Sequence, residues 1–223
     1  MKVFLFDCKY SPIYVQQAAA DYEFAFRVFD ATAKEHRPHR VLDALLPAFF
    51  VLDRYCQTKP NDATALHLLG LVCERLGHHA HGAEVVEKAI TILEAVYEET
   101  EDPVVEMKYT IANCTLGRLK LLLGKFTEAA TLFESAHGLL ADKNSTDDRR
   151  LIILKVQIHL GMGLAHYLAE NLETALGLLE GGLAVANDDL LLRSQVVMLL
   201  AQILWTIGTE EAKDAAKSRL LEW

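Results

Sequence analysis

LGRLKLLLGKFTEAATLFESA, residues Leu116 to Ala136, reads as two helices joined by a tight turn. Leu116, Leu119, Leu122 and Leu123 recur at helical spacing, and Gly124 ends that run. Phe126, Ala129, Ala130, Phe133 and Ala136 then set up a second apolar face. Small residues stand where two helices would touch: Gly117 on the first, Ala129 and Ala136 on the second. Large ones, Leu116 and Phe133, stand where a gap must be filled. A single pair of helices cannot bury both of its faces, so the stretch predicts neighbours that stack on it.

The same pattern returns on either side. Upstream, Leu66, Leu69, Gly70, Cys73 and Leu76 make a first helix that Gly77 ends, and Gly82, Val86, Ala89 and Leu93 make a second. Gly70 aligns with Gly117 and Gly77 with Gly124. Downstream, Met162, Gly163, His166 and Tyr167 precede the turn Glu170-Asn171-Leu172, followed by Ala175, Leu179 and Gly182. A fourth, weaker copy has Leu200, Ala201, Leu204 and Gly208, then Ala212, Ala215, Ala216 and Leu220, with a turn one residue shorter. The intervals Gly70–Gly117, Gly117–Gly163 and Gly163–Ala201 all exceed the about 34 residues of the commonest helix–turn–helix repeat. The surplus falls in the polar stretches EETEDP (Glu98 to Pro103) and DKNSTDDRR (Asp142 to Arg150), which read as long loops between repeats.

This defines an all-α chain, an α-α superhelix (solenoid) of stacked tetratricopeptide-like helical hairpins. Repeats are expected at about 61–102, 103–150, 151–187 and 188–223, as part of a longer array. Residues 11–60 read as an N-terminal helical hairpin. Ser11 caps a helix that begins at Pro12 and runs through Val15, Ala18, Ala19, Tyr22, Ala25, Phe26 and Phe29 to about Lys34. After the connection KEHRPH, a second helix spans about Arg40 to Gln57, with a kink or late start expected at Pro47. Residues 1–10 have no helical period and read as an N-terminal arm. No polar capping helix is evident before Trp223, which predicts either a longer array or a partner on the last face.

Composition narrows the classes of function. The 223 residues carry a net charge of −9, which argues against a phosphate-binding surface and so against direct nucleic-acid binding. The longest dense apolar run, Leu45 to Leu52, is too short to span a bilayer, so no membrane contact is expected. The start lacks a signal-peptide core, so a soluble intracellular protein is expected. Cys8, Cys56, Cys73 and Cys114 form no CxxC pair and read as free thiols, buried in the case of Cys73 and Cys114.

No catalytic, cofactor or metal site emerges. His78, His79 and His81 could supply metal nitrogens, but no Cys or carboxylate follows at zinc-site spacing, and a solvated turn explains them. His159 and His166, seven apart on one helix face beside Tyr167, read either as ligand-facing or as locally bonded core residues. Glu98, Glu99, Glu101 and Asp102 read as a solvated acidic run rather than a desolvated acid/base pair. Gly161, Gly163, Gly181 and Gly182 lie within helical patterns and read as packing contacts rather than a nucleotide loop. The inward face of each first helix is the natural binding surface. By register it comprises Thr64, His67, Leu71 and Glu74, then Ile111, Cys114, Arg118 and Leu121, then Gln157, Leu160, Leu164 and Tyr167. His67, Leu71, Glu74, Cys114, Arg118, Leu121, Leu160, Leu164 and Tyr167 are its candidate protein-binding residues. The lining is mostly apolar and lacks a Lys/Asn carboxylate clamp, so it suits a helix or another subunit.

From Asn61 to Leu221 the chain resembles the tetratricopeptide superfamily. Tyr97 to Leu140, Gly163 to Leu183 and Asp188 to Trp223, with the phrase LWTIGTEEAKDAAKSRLLE, are more specific: they resemble the fungal superkiller scaffold family, the repeat subunit of the Ski complex. That resemblance implies a non-enzymatic cytoplasmic scaffold without cofactors. It would join an RNA helicase to WD-repeat subunits and assist the exosome in 3′-to-5′ mRNA decay. The alternative is a generic tetratricopeptide adaptor that binds a peptide or helix of another protein, unrelated to RNA.

Overall fold

The computed structural model describes residues 12–141, 143 and 148–221, with side chains from Ala19 onward. The expected arm 1–10, the Ser11 cap, Cys8, Trp223 and most of DKNSTDDRR lie outside the described residues. Ten helices and no strand occur among the described residues: α1 (Pro12–Thr32), α2 (Pro38–Thr58), α3 (Ala63–Leu76), α4 (His79–Thr100), α5 (Pro103–Leu122), α6 (Phe126–Leu139), α7 (Arg149–Leu168), α8 (Leu172–Ala186), α9 (Leu190–Ile207) and α10 (Glu210–Leu221). They form two compact units, Met1–Glu101 and Asp102–Trp223.

In the first unit α1 packs on α2, α2 on α3, and α3 on α4. Leu45, Ala48, Leu52 and Cys56 give α2 its buried face. Asp21 of α1 is buried and accepts two bonds from the Arg54 guanidinium of α2, at 3.1 and 2.7 Å. Phe26, read as part of the buried face of α1, is half exposed instead. α2 does not start late: Pro38 opens its first turn, where a missing N–H is harmless, and the helix continues through Pro47.

In the second unit α5–α6, α7–α8 and α9–α10 are hairpins, and α7 and α9 each also pack on the preceding second helix. One core cluster joins Ala129, Phe133 and Ala136 of α6 to Ile158, Met162 and Ala165 of α7. The next joins Ala175, Leu179 and Leu183 of α8 to Val196, Leu200 and Ile203 of α9. Leu122 and Leu123, read as apolar-face residues, are exposed; Leu116 and Leu119 carry that face. α7 and α9 are long and apolar enough to cross a membrane by length and composition, which corrects the reading that no stretch reaches that size. Their apolar residues pack in the two clusters just described.

Each repeat interlocks at one point. A Cβ on Gly70 would fall 2.1 Å from Val86, on Gly117 2.8 Å from Phe133, and on Gly163 2.6 Å from Leu179, at the same sequence offset each time. In the fourth hairpin, whose turn is one residue shorter, the corresponding residues are Ala201 and Ala216, both buried. The turns follow a rule too. Gly77, Gly124 and Gly208 take left-handed φ of 80°, 74° and 78°, and Glu170 takes the same place at φ 64°. A side chain is strained there, so glycine is the natural occupant.

Helix starts are capped selectively. Asp62, Asp102, Asp148 and Asp189 each accept a backbone N–H at the start of α3, α5, α7 and α9, at 3.0, 2.8, 2.9 and 3.1 Å. The caps of the second helices α4, α6 and α8 make no such side-chain bond. EETEDP is not the long loop expected. Glu98, Glu99 and Thr100 extend α4, leaving only Glu101 and Asp102 before α5. Glutamate propagates a helix well, and the exposed charges are solvated there.

Candidate functional site

The first helices of the second unit, α5, α7 and α9, share a groove of about 800 Å³. From α5 come Cys114, Arg118 and Leu121; from α7 Gln157, Leu160 and Leu164; from α9 Ser194, Gln195, Met198 and Leu199. Phe133 of α6 and Gly161 of α7 form its floor. Phe133 reaches it because no side chain stands at either Gly117 or Gly161: a Cβ on either would meet the ring, at 2.8 and 2.5 Å. A second groove, of about 570 Å³, lies between α9 and α10 and shares Gln195, Met198 and Leu199 with the first. Met198 and Trp205 stand on it 62% and 58% exposed, so this surface offers large apolar side chains to solvent.

Of the candidate residues read from register, Cys114, Arg118, Leu121, Leu160 and Leu164 therefore come together on one surface, as does Gln157. Tyr167 does not line it. Its hydroxyl lies 3.2 Å from Thr206 Oγ1 on α9, and its ring packs against the second core cluster. His67, Leu71 and Glu74 sit partly exposed on one face of α3, in the first unit. Thr64 and Ile111 are exposed. Sequence reasoning missed Phe133 and the α9 residues. The signal was available for Phe133 alone, whose two facing glycines leave its ring a passage.

The histidines are held locally. His159 is buried on α7 and its Nδ1 lies 3.0 Å from the Leu178 carbonyl. A carbonyl only accepts, so Nδ1 carries the hydrogen and donates it. The His137 ring stands edge-on to it at 5.1 Å, and Gly181 and Gly182 leave room for its ring and Cβ. Burial, then His137, hold its pKa below the ordinary 6.5. His166 Nε2 lies 3.3 Å from Glu134 Oε1. Neither histidine lines the groove. His78 and His81 stack against Phe49 of α2, with ring centroids 5.4 and 6.0 Å apart, and His81 lies 3.9 Å from Asp53. The three-histidine stretch is thus packed on a neighbouring helix rather than wholly solvated. Among the described residues, no group of three or more His, Cys, Asp or Glu side chains converges as a metal site.

Cys56, Cys73 and Cys114 are free and buried. Burial pushes each thiol up to about 12, so Cys114 is protonated at neutral pH and gives the groove no nucleophile. What the surface can do is hold apolar side chains, with one guanidinium and a few amides and hydroxyls to orient them.

Paired helices, an interlocking glycine in each of three hairpins and an apolar groove across first helices define a repeat protein of the tetratricopeptide-like class. Solved structures agree on the fold. A putative kinesin light chain of P. anserina with nearly identical TPR-like repeats superposes with a TM-score of 0.67 at 14% identity, covering 92% of this chain and 94% of that one. BtubC from P. vanneervenii gives a TM-score of 0.60 at 15% identity, over 94% and 90% of the two chains. No family model matches the sequence. Among curated proteins it is similar to superkiller protein 3: 23% identical over 208 residues to that of Saccharomyces cerevisiae, and 27% over 175 residues to that of Schizosaccharomyces pombe. These alignments take in 92% and 78% of this chain, and the chain spans only 14% and 12% of the two relatives.

Proposed function

We propose that this chain is a repeat segment of a Ski-type scaffold, which holds other proteins together in the cytoplasm and assists the exosome in 3′-to-5′ mRNA decay. The observation that carries the reading is the similarity to superkiller protein 3 in two yeasts, continuous over most of this chain. The apolar groove supports it, since such a surface suits a helix of a partner subunit. The partners are an RNA helicase and a WD-repeat protein. The chain acts by binding rather than by catalysis, and its net charge of −9 supports reaching RNA only through those partners.

The test is affinity purification of the tagged full-length protein from its own cells at physiological salt, read by mass spectrometry. A helicase and a WD-repeat protein in near-stoichiometric amounts are expected. Recovery of neither overturns the assignment. Recovery of an unrelated protein whose binding is lost in Leu160→Glu would make the chain a generic tetratricopeptide adaptor instead.

A further inference from the structure

We infer that the two adjoining grooves of the second unit take a single amphipathic helix whose apolar stripe is flanked by acidic residues. The inference rests on the reading of the chain as a protein-binding scaffold and names the chemistry of the occupant. Three observations carry it.

The grooves are continuous, sharing Gln195, Met198 and Leu199, so one occupant can run from α5 to α10. Their walls are also all helical, and among the lining residues no strand edge is offered. An extended segment would leave its backbone N–H and C=O groups without partners against these side chains, whereas a helix satisfies its own. A groove of about 800 Å³ holds roughly two turns of a helix ~10 Å across. With the second groove the track takes about four turns, or roughly 14 residues.

Charge supplies the third observation. The chain has 31 Asp and Glu against 22 Lys and Arg, so an arbitrary patch of its surface should be acidic. The lining of both grooves nevertheless holds no carboxylate, and its formal charges are two cations: Arg118 in one groove and Lys217 in the other. Arg118 reaches Thr115 Oγ1 only at 3.4 Å, and Lys217 holds Asp214 of its own helix in an exposed pair at 2.8 Å. An exposed pair of that kind is weak enough for an incoming carboxylate to displace. A basic occupant finds nothing here to meet its charge. An acidic one finds a cation in each groove, separated by Leu160, Leu164, Met198 and Leu199.

The experiment selects a phage-displayed library of random 16-residue peptides on the purified chain. The best peptide is then titrated as a fluorescein conjugate by anisotropy. Enrichment of Leu, Phe or Met at helical spacing with Asp or Glu at the ends is expected. Arg118→Gln should weaken binding about tenfold, the fold equivalent of one charge-assisted bond, and the double variant with Lys217→Gln further. Met198→Glu should abolish binding, and Lys88→Gln on α4 should leave it unchanged. Circular dichroism confirms that each variant is folded. Basic or uncharged winners, winners indifferent to Arg118→Gln, winners that survive Met198→Glu, or no enrichment at all would overturn the inference. If the helicase and WD-repeat protein are still captured, the scaffold reading stands on another surface. If acid-dependent peptides bind but neither partner is captured, the RNA-decay assignment falls and the groove remains.

Discussion

The ring of Phe133 occupies the space that a side chain on Gly117 would need, since a Cβ there falls 2.8 Å from it. The ring cannot swing aside, because Gly161 closes on its other edge at 2.5 Å. Gly117→Ala should therefore destabilise the protein. Overpacking costs about 1–3 kcal/mol, of which better helix propensity returns about 1. Gly70→Ala should be worse, with its Cβ 2.1 Å from the stiff Val86 side chain. Gly138→Ala on α6 meets nothing within 4 Å and should stabilise by about 0.5–1 kcal/mol. Thermal melts followed by circular dichroism check the signs. A rise in Tm for Gly117→Ala would refute the packing.

The aspartate caps make a second contrast. Asp189 accepts N–H bonds from Leu191 and Leu192 and also pairs with Arg149 at 3.1 Å. Asp189→Ala should cost about 1 kcal/mol, and so should Asp62→Ala. Asn171, which caps α8 without a side-chain bond, should be replaceable by alanine at much smaller cost. Urea unfolding midpoints give the comparison. Equal shifts for Asp189→Ala and Asn171→Ala would refute the selective capping.

Glu170 offers a gain. It holds φ 64° in the turn where other hairpins place glycine. A left-handed backbone costs an L-residue roughly 1–2 kcal/mol, partly offset by the extra freedom glycine brings to the unfolded chain. Glu170→Gly should raise stability by about 0.5–1 kcal/mol, and Gly124→Ala should lower it by a similar amount. Differential scanning calorimetry reads both. A lower Tm for Glu170→Gly would show that its side chain contributes more than its backbone strain costs.

His159 predicts a pH dependence. Burial holds the folded pKa below 6.5, so the unfolded chain binds a proton first as pH falls. The stability is therefore full above pH 6.5 and declines below it, toward the folded pKa. The unfolding midpoint should drop between pH 7 and 5, before most carboxylates titrate, and the drop should be shallower in His159→Gln. An identical pH slope in that variant would place the titration elsewhere.

The hairpin order was legible because its signals are local. Gly70, Gly117 and Gly163 mark a tight contact, and Gly77, Gly124 and Gly208 mark a reversal, each by the absence of a side chain. The acidic end of α4 was misread because exposed charge suits a solvated helix end as well as a loop. The caps Asp62, Asp102, Asp148 and Asp189 are plain in the sequence, but their regularity shows only once every first helix has a fixed start. For the groove, register within α5 and α7 gave Arg118, Leu121, Leu160 and Leu164. It could not give Met198 and Leu199, which come from a hairpin further along, nor show that the Tyr167 hydroxyl is taken up by Thr206. Those relations lie between repeats, and periodicity inside one helix is silent about them.

The constant offset between each interlocking glycine and its bulky partner sets how these hairpins can diverge. Inserting or deleting one residue at Gly77–His78 or Gly124–Lys125 would rotate the following helix by about 100° and carry Val86 or Phe133 off its seat. The fourth hairpin has such a shortened turn, and it has alanine on both sides, a contact with no interlock to lose. Gaps among homologues should therefore be missing from the interlocked turns, and wherever one does occur the glycine and its partner should both have given way to small residues.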